Sequence, residues 1–192
     1  MSDFLALAKD RWSAPDSLTR AQAAATPVAT VGVRVGDGPE QMLGLVMTLR
    51  DTDEWGAENG LGLATVGGRI VRTTGLDANL TGFRGPLRTN DASSVPSGGD
   101  TYALEYDFAD LTRYGVRALC TIEDLGPMEI TVIGSKIDTE RVEERCTAPD
   151  IDWTFRNIFW RDPRTGFVWR TRQNIHPGAD PIMLEVLRPP PR

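Results

Sequence analysis

The chain holds one histidine, His176, and two cysteines, Cys120 and Cys146, in 192 residues. A tetrahedral zinc site draws four ligands from His, Cys and carboxylates, so this inventory makes none unless several carboxylates join in. Lysine is nearly as scarce: of 21 cationic residues, all but Lys9 and Lys136 are arginine. No basic block stands against the 27 acidic residues, and the net charge of −6 argues against nucleic acid as a partner. Apolar runs extend only a few residues, too short for a transmembrane helix. The phosphate-cradling G-x-x-x-x-G-K-[ST] loop, the G-x-S-x-G hydrolase elbow and the H-E-x-x-H zinc helix are all missing. No catalytic residue, cofactor or metal is therefore expected. With 40% hydrophobic residues, the chain is long enough to bury a core without staples.

What is present divides at about residue 27. In the segment 1–27, Asp3 can cap a turn carrying Phe4, Leu5, Leu7, Ala8 and Trp12, which Pro15 ends. Ser17 offers a second cap for a helix over 18–25, ended by Pro27. From Val28 the texture becomes short runs of Val, Ile, Thr and aromatics punctuated by Gly and Pro. Strands are expected over 28–35, 42–49, 61–66 and 69–74, the last two joined by Gly67-Gly68, a strong two-residue hairpin signal. Residues 76–100 read as a helical turn near 77–80 followed by a long polar loop. Strands resume over 101–108 and 114–123, and Leu125-Gly126-Pro127 turns the chain into another over 128–133. The stretch 135–146 is too polar for a core strand and fits an edge strand or a charged helical turn. Aromatic runs over 153–161 and 167–173 flank an Asp162-Pro163 turn, and a last strand covers 182–187. About ten short strands with turns every 8–12 residues predict a mainly β domain over 28–192. Its antiparallel sheet would curl into a barrel-like or sandwich fold, with short N-terminal helices.

The final third also carries a recognisable pattern: Asn157, the pair Phe159-Trp160, the turn Thr165-Gly166, basic Arg170, hydroxyl-bearing Thr171, any residue at 172, then Gln173 and Pro177. It resembles the C-terminal signature of the YjbF family of group 4 capsule and exopolysaccharide lipoproteins. The segment 68–76 with Asn79-Leu80 resembles that family's second landmark, in the right order. The resemblance implies a periplasmic protein anchored by an N-terminal lipid to the outer membrane. It implies an accessory role in polysaccharide secretion or assembly without catalysis, with an outer-membrane β-barrel export protein or the polysaccharide as partner. Met1–Trp12 lacks a cationic leader and an acceptor Cys, so the expectation is that 1–27 follows a removed lipid-anchor region.

Three features bear on a site. The aromatic runs 153–161 and 167–173 are either core rings or a sugar-stacking surface. On the second reading Trp160, Trp169, Arg156, Arg170, Arg172 and Gln173 would contact glycan or partner, rings stacking on sugar C–H faces while guanidinium and amide groups bond hydroxyls. Arg156, Trp160, Arg170 and Arg172 share one face, where Trp160 can take a cation–π contact. Cys120 and Cys146 either form a disulfide, favoured by an oxidising periplasm, or are two unrelated buried thiols; sequence leaves both open. His176, lone and before Pro177, reads as a surface or turn residue. The carboxylate pairs Glu143/Glu144 and Asp150/Asp152 keep a polysaccharide-modifying hydrolase as an alternative, beside a generic carbohydrate-binding module.

Overall fold

A computed structural model describes residues 18–86 and 101–191. The expected helix near Asp3 and most of the polar loop after Pro86 lie outside them. One helix, α1 (Arg20–Ala25), follows Thr19, whose hydroxyl accepts the Gln22 N–H while the Gln22 side chain accepts the Thr19 N–H. The cap is thus Thr19 rather than Ser17. The capping box offsets the weak autonomy of so short a helix.

Twelve strands follow: β1 (Thr30–Val35), β2 (Gln41–Leu49), β3 (Thr52–Gly56), β4 (Gly62–Val66), β5 (Arg69–Thr74), β6 (Gly82–Arg84), β7 (Thr101–Phe108), β8 (Arg113–Val132), β9 (Ser135–Ala148), β10 (Trp153–Arg161), β11 (Val168–Gln173) and β12 (Ile182–Arg188). They form one antiparallel sheet in the order β5-β4-β3-β2-β1-β12-β11-β10-β9-β8-β7-β6. The first and last strands pair in its middle. The free edges β5 and β6 approach through the Leu80 carbonyl, which accepts the Thr73 N–H at 2.8 Å, so the sheet curls nearly closed. Barrel-like is the right half of the expectation; a second, stacked sheet is not seen among the described residues.

Alternation makes the interior. Val31, Leu43, Trp55, Leu63, Leu104, Phe108, Phe155 and Leu184 belong to one buried cluster fed from opposite walls. Trp153 stacks on Phe155 with centroids 3.8 Å apart, and Tyr106 meets both edge-on. Each ring of this kind removes about 150–250 Å² from water. The Gly67-Gly68 turn is seen as expected, both residues at positive φ (54° and 86°). A Cβ on Gly68 would sit 2.6 Å from the Val168 Cβ, so the hairpin tip can abut β11 only with glycine there.

Several expectations are corrected. Residues 75–78 bend and 79–80 are irregular, so the expected helical turn over 77–80 is not formed. β3 and β6 arise where no strand was expected; β3 turns Trp55 inward while Glu54 pairs outward with Arg72 at 2.7 Å. Leu125-Gly126-Pro127 does not reverse the chain: it is a register shift inside the single strand β8. Most consequentially, β9 is no edge strand. It pairs along its length with β8 and along much of it with β10. Glu144 is matched by Arg69 of distant β5, while Glu140, Glu143, Arg145 and Lys136 pair within β9 or with its neighbours β8 and β10. Strand-local polarity reveals none of this.

Beyond that shift, the β8–β9 hairpin folds over the outer face of β10–β12. There Ile130, Val132, Trp160, Leu187 and Ala23 of α1 form a second buried cluster. The Arg20 guanidinium ties α1 to the hairpin tip through Ser135 Oγ (2.5 Å).

Candidate functional site

Two polar constellations stand out, one inside the barrel and one on its wall. Inside, the Arg69 guanidinium of β5 reaches across to Glu144 of β9, donating from Nη2 to Oε1 (2.6 Å) and from Nη1 to Oε2 (3.1 Å). Asn157 Nδ2 donates to the same carboxylate at 2.6 Å, and the Tyr102 hydroxyl also donates to it. Arg69 lies between the Phe83 and Phe159 rings, 5.5 and 5.1 Å from their centroids. Burial alone would push the Glu144 carboxyl upward, but the Arg69 charge and the donated hydrogen bonds prevail and hold it below the usual carboxylate range. Desolvation raises both Tyr102 and Tyr106, which keeps these phenols neutral, Tyr102 as a donor to Glu144. Every Glu144 oxygen is taken, so the network reads as an internal latch rather than an acid–base pair.

Cys120 and Cys146, directly opposed on β8 and β9, form a disulfide with Cα atoms 4.1 Å apart. Their sulfurs and the Glu144 carboxylate lie within 4.8 Å of one another, one grouping among the described residues with metal-ligand atoms at close range. Joined sulfurs offer no thiolates and Glu144 is committed to Arg69, so the grouping does not fit a metal.

On the wall, adjacent strands β8 to β11 present a shallow open groove of about 680 Å³. Thr121, Arg145 and Arg156 are successive cross-strand neighbours. Asn174 continues the row, its Nδ2 donating to the Arg156 carbonyl at 2.6 Å. Leu119, Thr147 and Thr154 form the next row, and Arg172 closes the groove from β11. Arg145 is neutralised by Glu143 (2.6 Å) and Glu123 (2.8 Å). Among the described residues, Arg156 and Arg172 have no carboxylate partner. Partial burial, and then the neighbouring Arg156 charge, pull the Arg172 guanidinium below its usual range.

The six residues expected to contact glycan or partner do not form one surface. Arg156 and Arg172 line the groove. Trp160 and Arg170 do share a face, with the guanidinium 5.9 Å from the ring, but the β8–β9 hairpin covers both. Trp160 donates Nε1–H to Met128 Sδ, Arg170 binds Glu185 and the Thr131 carbonyl, and Trp160 is only 6% exposed. Gln173 is buried, accepting the Ile70 N–H (3.1 Å) and donating to the Gly68 carbonyl (2.9 Å). Trp169 is half-buried against Phe167. A register shift after Trp160 sends Val168, not Trp169, into the cluster with Phe159. His176 does sit in a turn, yet it is buried against Phe108, with Nε2 3.1 Å from Asp110.

What the sequence reading missed is that its two landmarks meet. Gln173 bonds Gly68 and Ile70, while Asn157 and Arg69 share Glu144. A signal existed: polar residues recur inside otherwise apolar runs, and a buried polar side chain demands a partner.

The model of the family described as group 4 capsule polysaccharide lipoprotein gfcB, YjbF, matches residues 6–187. A curated relative, the uncharacterized lipoprotein GfcB of Escherichia coli K12, is 23% identical over 175 residues, covering 88% of this chain and 80% of its own. The crystal structure of the hypothetical lipoprotein YmcC from Escherichia coli K12 superposes with a TM-score of 0.78 at 22% identity, over 91% of each chain, and so has the same fold.

Proposed function

The chain belongs to the YjbF family of group 4 capsule polysaccharide lipoproteins, and from that premise we propose that it is a non-enzymatic accessory of capsule or exopolysaccharide secretion or assembly. It is held by an N-terminal lipid on the periplasmic side of the outer membrane. It acts by docking its outer wall to an outer-membrane β-barrel export protein or to the passing polysaccharide.

The observation carrying this reading is the division of polar groups between interior and wall. Arg69, Glu144, Tyr102 and Asn157 satisfy one another inside, whereas Arg156 and Arg172, with no carboxylate partner among the described residues, line a groove on the outside. Glycoside hydrolysis uses two carboxyls facing each other across a cleft. Glu144 is locked to Arg69, its neighbour Glu143 to Arg145, and Asp150 and Asp152 lie within and at the end of an exposed turn. The family description and the names of the relatives, lipoproteins without an enzymatic title, support the same reading.

Fractionation and product analysis test it together. Lipid-labelled chain is expected in the outer-membrane fraction, digested by protease only after the outer membrane is permeabilised, and the purified chain is expected to release no new reducing ends from the host polysaccharide. A soluble cytoplasmic pool, or new reducing ends, overturns the proposal.

A further inference from the structure

We infer that the groove across β8–β11 binds an acidic sugar, the carboxylate of a uronate residue seating on the Arg156 and Arg172 guanidiniums. This rests on the docking reading above and names the ligand that one part of the wall takes.

Charge complementarity comes first. In a chain of net charge −6, two guanidiniums face one groove without a described carboxylate, close enough for Arg156 to disfavour the charge on Arg172. Like charges held together lower their mutual repulsion when an anion bridges them. A guanidinium fork matches a carboxylate in two parallel hydrogen bonds.

The rest of the lining selects a sugar over a protein. Thr121, Thr147, Thr154 and Asn174 supply hydroxyls and an amide, each able to donate and accept, as sugar hydroxyls require. Leu119 is the groove's one exposed large apolar side chain among the described residues, and Phe155 turns inward. A protein interface would want an aromatic or aliphatic anchor at its centre. A neutral sugar would want a ring to stack on. With no exposed ring and a single aliphatic side chain, Leu119 on its outermost strand β8, the groove recognises by charge and hydroxyl bonding. Its volume lies within the roughly 300–1,000 Å³ of small-ligand sites.

Titration of the purified 192-residue chain with hexagalacturonate at low ionic strength is the test. Binding is expected, weakening as salt rises and at least tenfold weaker for fully methyl-esterified hexagalacturonate. Arg156→Gln/Arg172→Gln is expected to lose at least tenfold in affinity with an unchanged melting temperature, while Arg164→Gln, in the β10–β11 turn, keeps wild-type affinity. Absence of binding, equal binding of the methyl ester, equal binding of hexaglutamate, or an unchanged affinity in the folded double variant would each overturn the inference. The assay contains no export machinery. A flat titration in a protein whose loss impairs export therefore overturns the groove assignment alone, and normal export in a deletion host overturns the accessory role alone.

Discussion

Arg69 and Glu144 stand 75 residues apart in sequence and 2.6 Å apart in the barrel, their side chains 2% and 0% exposed. A buried pair of this kind stabilises little compared with an apolar replacement, but losing one partner strands the other charge away from water. Glu144→Leu is therefore expected to lower unfolding free energy by about 3–5 kcal/mol. Arg69→Met/Glu144→Leu is expected to recover much of that loss. Urea denaturation of the three proteins checks it; a single variant within about 1 kcal/mol of wild type would show the latch is not formed.

The same pair sets an acid limit. With the folded Glu144 value depressed, the unfolded chain takes up the proton first, so the stabilisation is complete above the unfolded value of about 4.3 and is lost as pH falls through the folded one. Asp107, held down by Arg84, and Asp162, held down by the Thr165 N–H, add in the same direction. Stability is expected to be level from pH 7 to 5 as far as these groups are concerned, and to fall steeply below about 4. Part of that slope is expected to vanish in Glu144→Gln. An identical acid slope in Glu144→Gln would contradict the assignment.

Neighbouring residues on β11 separate interior from wall. Gln173→Leu leaves the Ile70 N–H and the Gly68 carbonyl without their partner, an expected cost of about 1–3 kcal/mol. Arg172→Gln, on the groove, is expected to change stability by less than about 0.5 kcal/mol. Chemical denaturation of both variants distinguishes this from the reverse order, which an exposed Gln173 would give.

The disulfide makes a chemical prediction. Denatured without reductant, the chain is expected to show no titratable thiol. Cys120→Ala/Cys146→Ala is expected to be less stable by about 3 kcal/mol, in line with a closure across 26 positions. Two free thiols would remove the bridge.

Local signals were legible wherever local physics decides. Gly67-Gly68 placed the β4–β5 hairpin because positive φ at both positions is a property of those residues themselves. Strict alternation gave β10 its bounds and put Trp153, Phe155 and Phe159 on one face, which the structure turns inward. Charged β9 defeated the same logic, since Glu144 is made tolerable by Arg69 on the opposite wall and Glu143 by Arg145. Trp160 and Arg170 were placed on the correct face, yet that face is roofed by the β8–β9 hairpin, a tertiary event with no trace in β10 or β11. Pro127 looked like a turn because Gly126-Pro127 usually is one; continuous pairing on both sides of the shift keeps the strand running.

Surface polysaccharide on the native host, measured with the gene deleted and restored, tests the accessory role most directly. Deletion is expected to lower the amount at the cell surface several-fold and to leave the repeat-unit structure unaltered, with lipidated chain restoring the amount. Unchanged surface polysaccharide, or a polymer with altered linkages or new ends, would contradict the account.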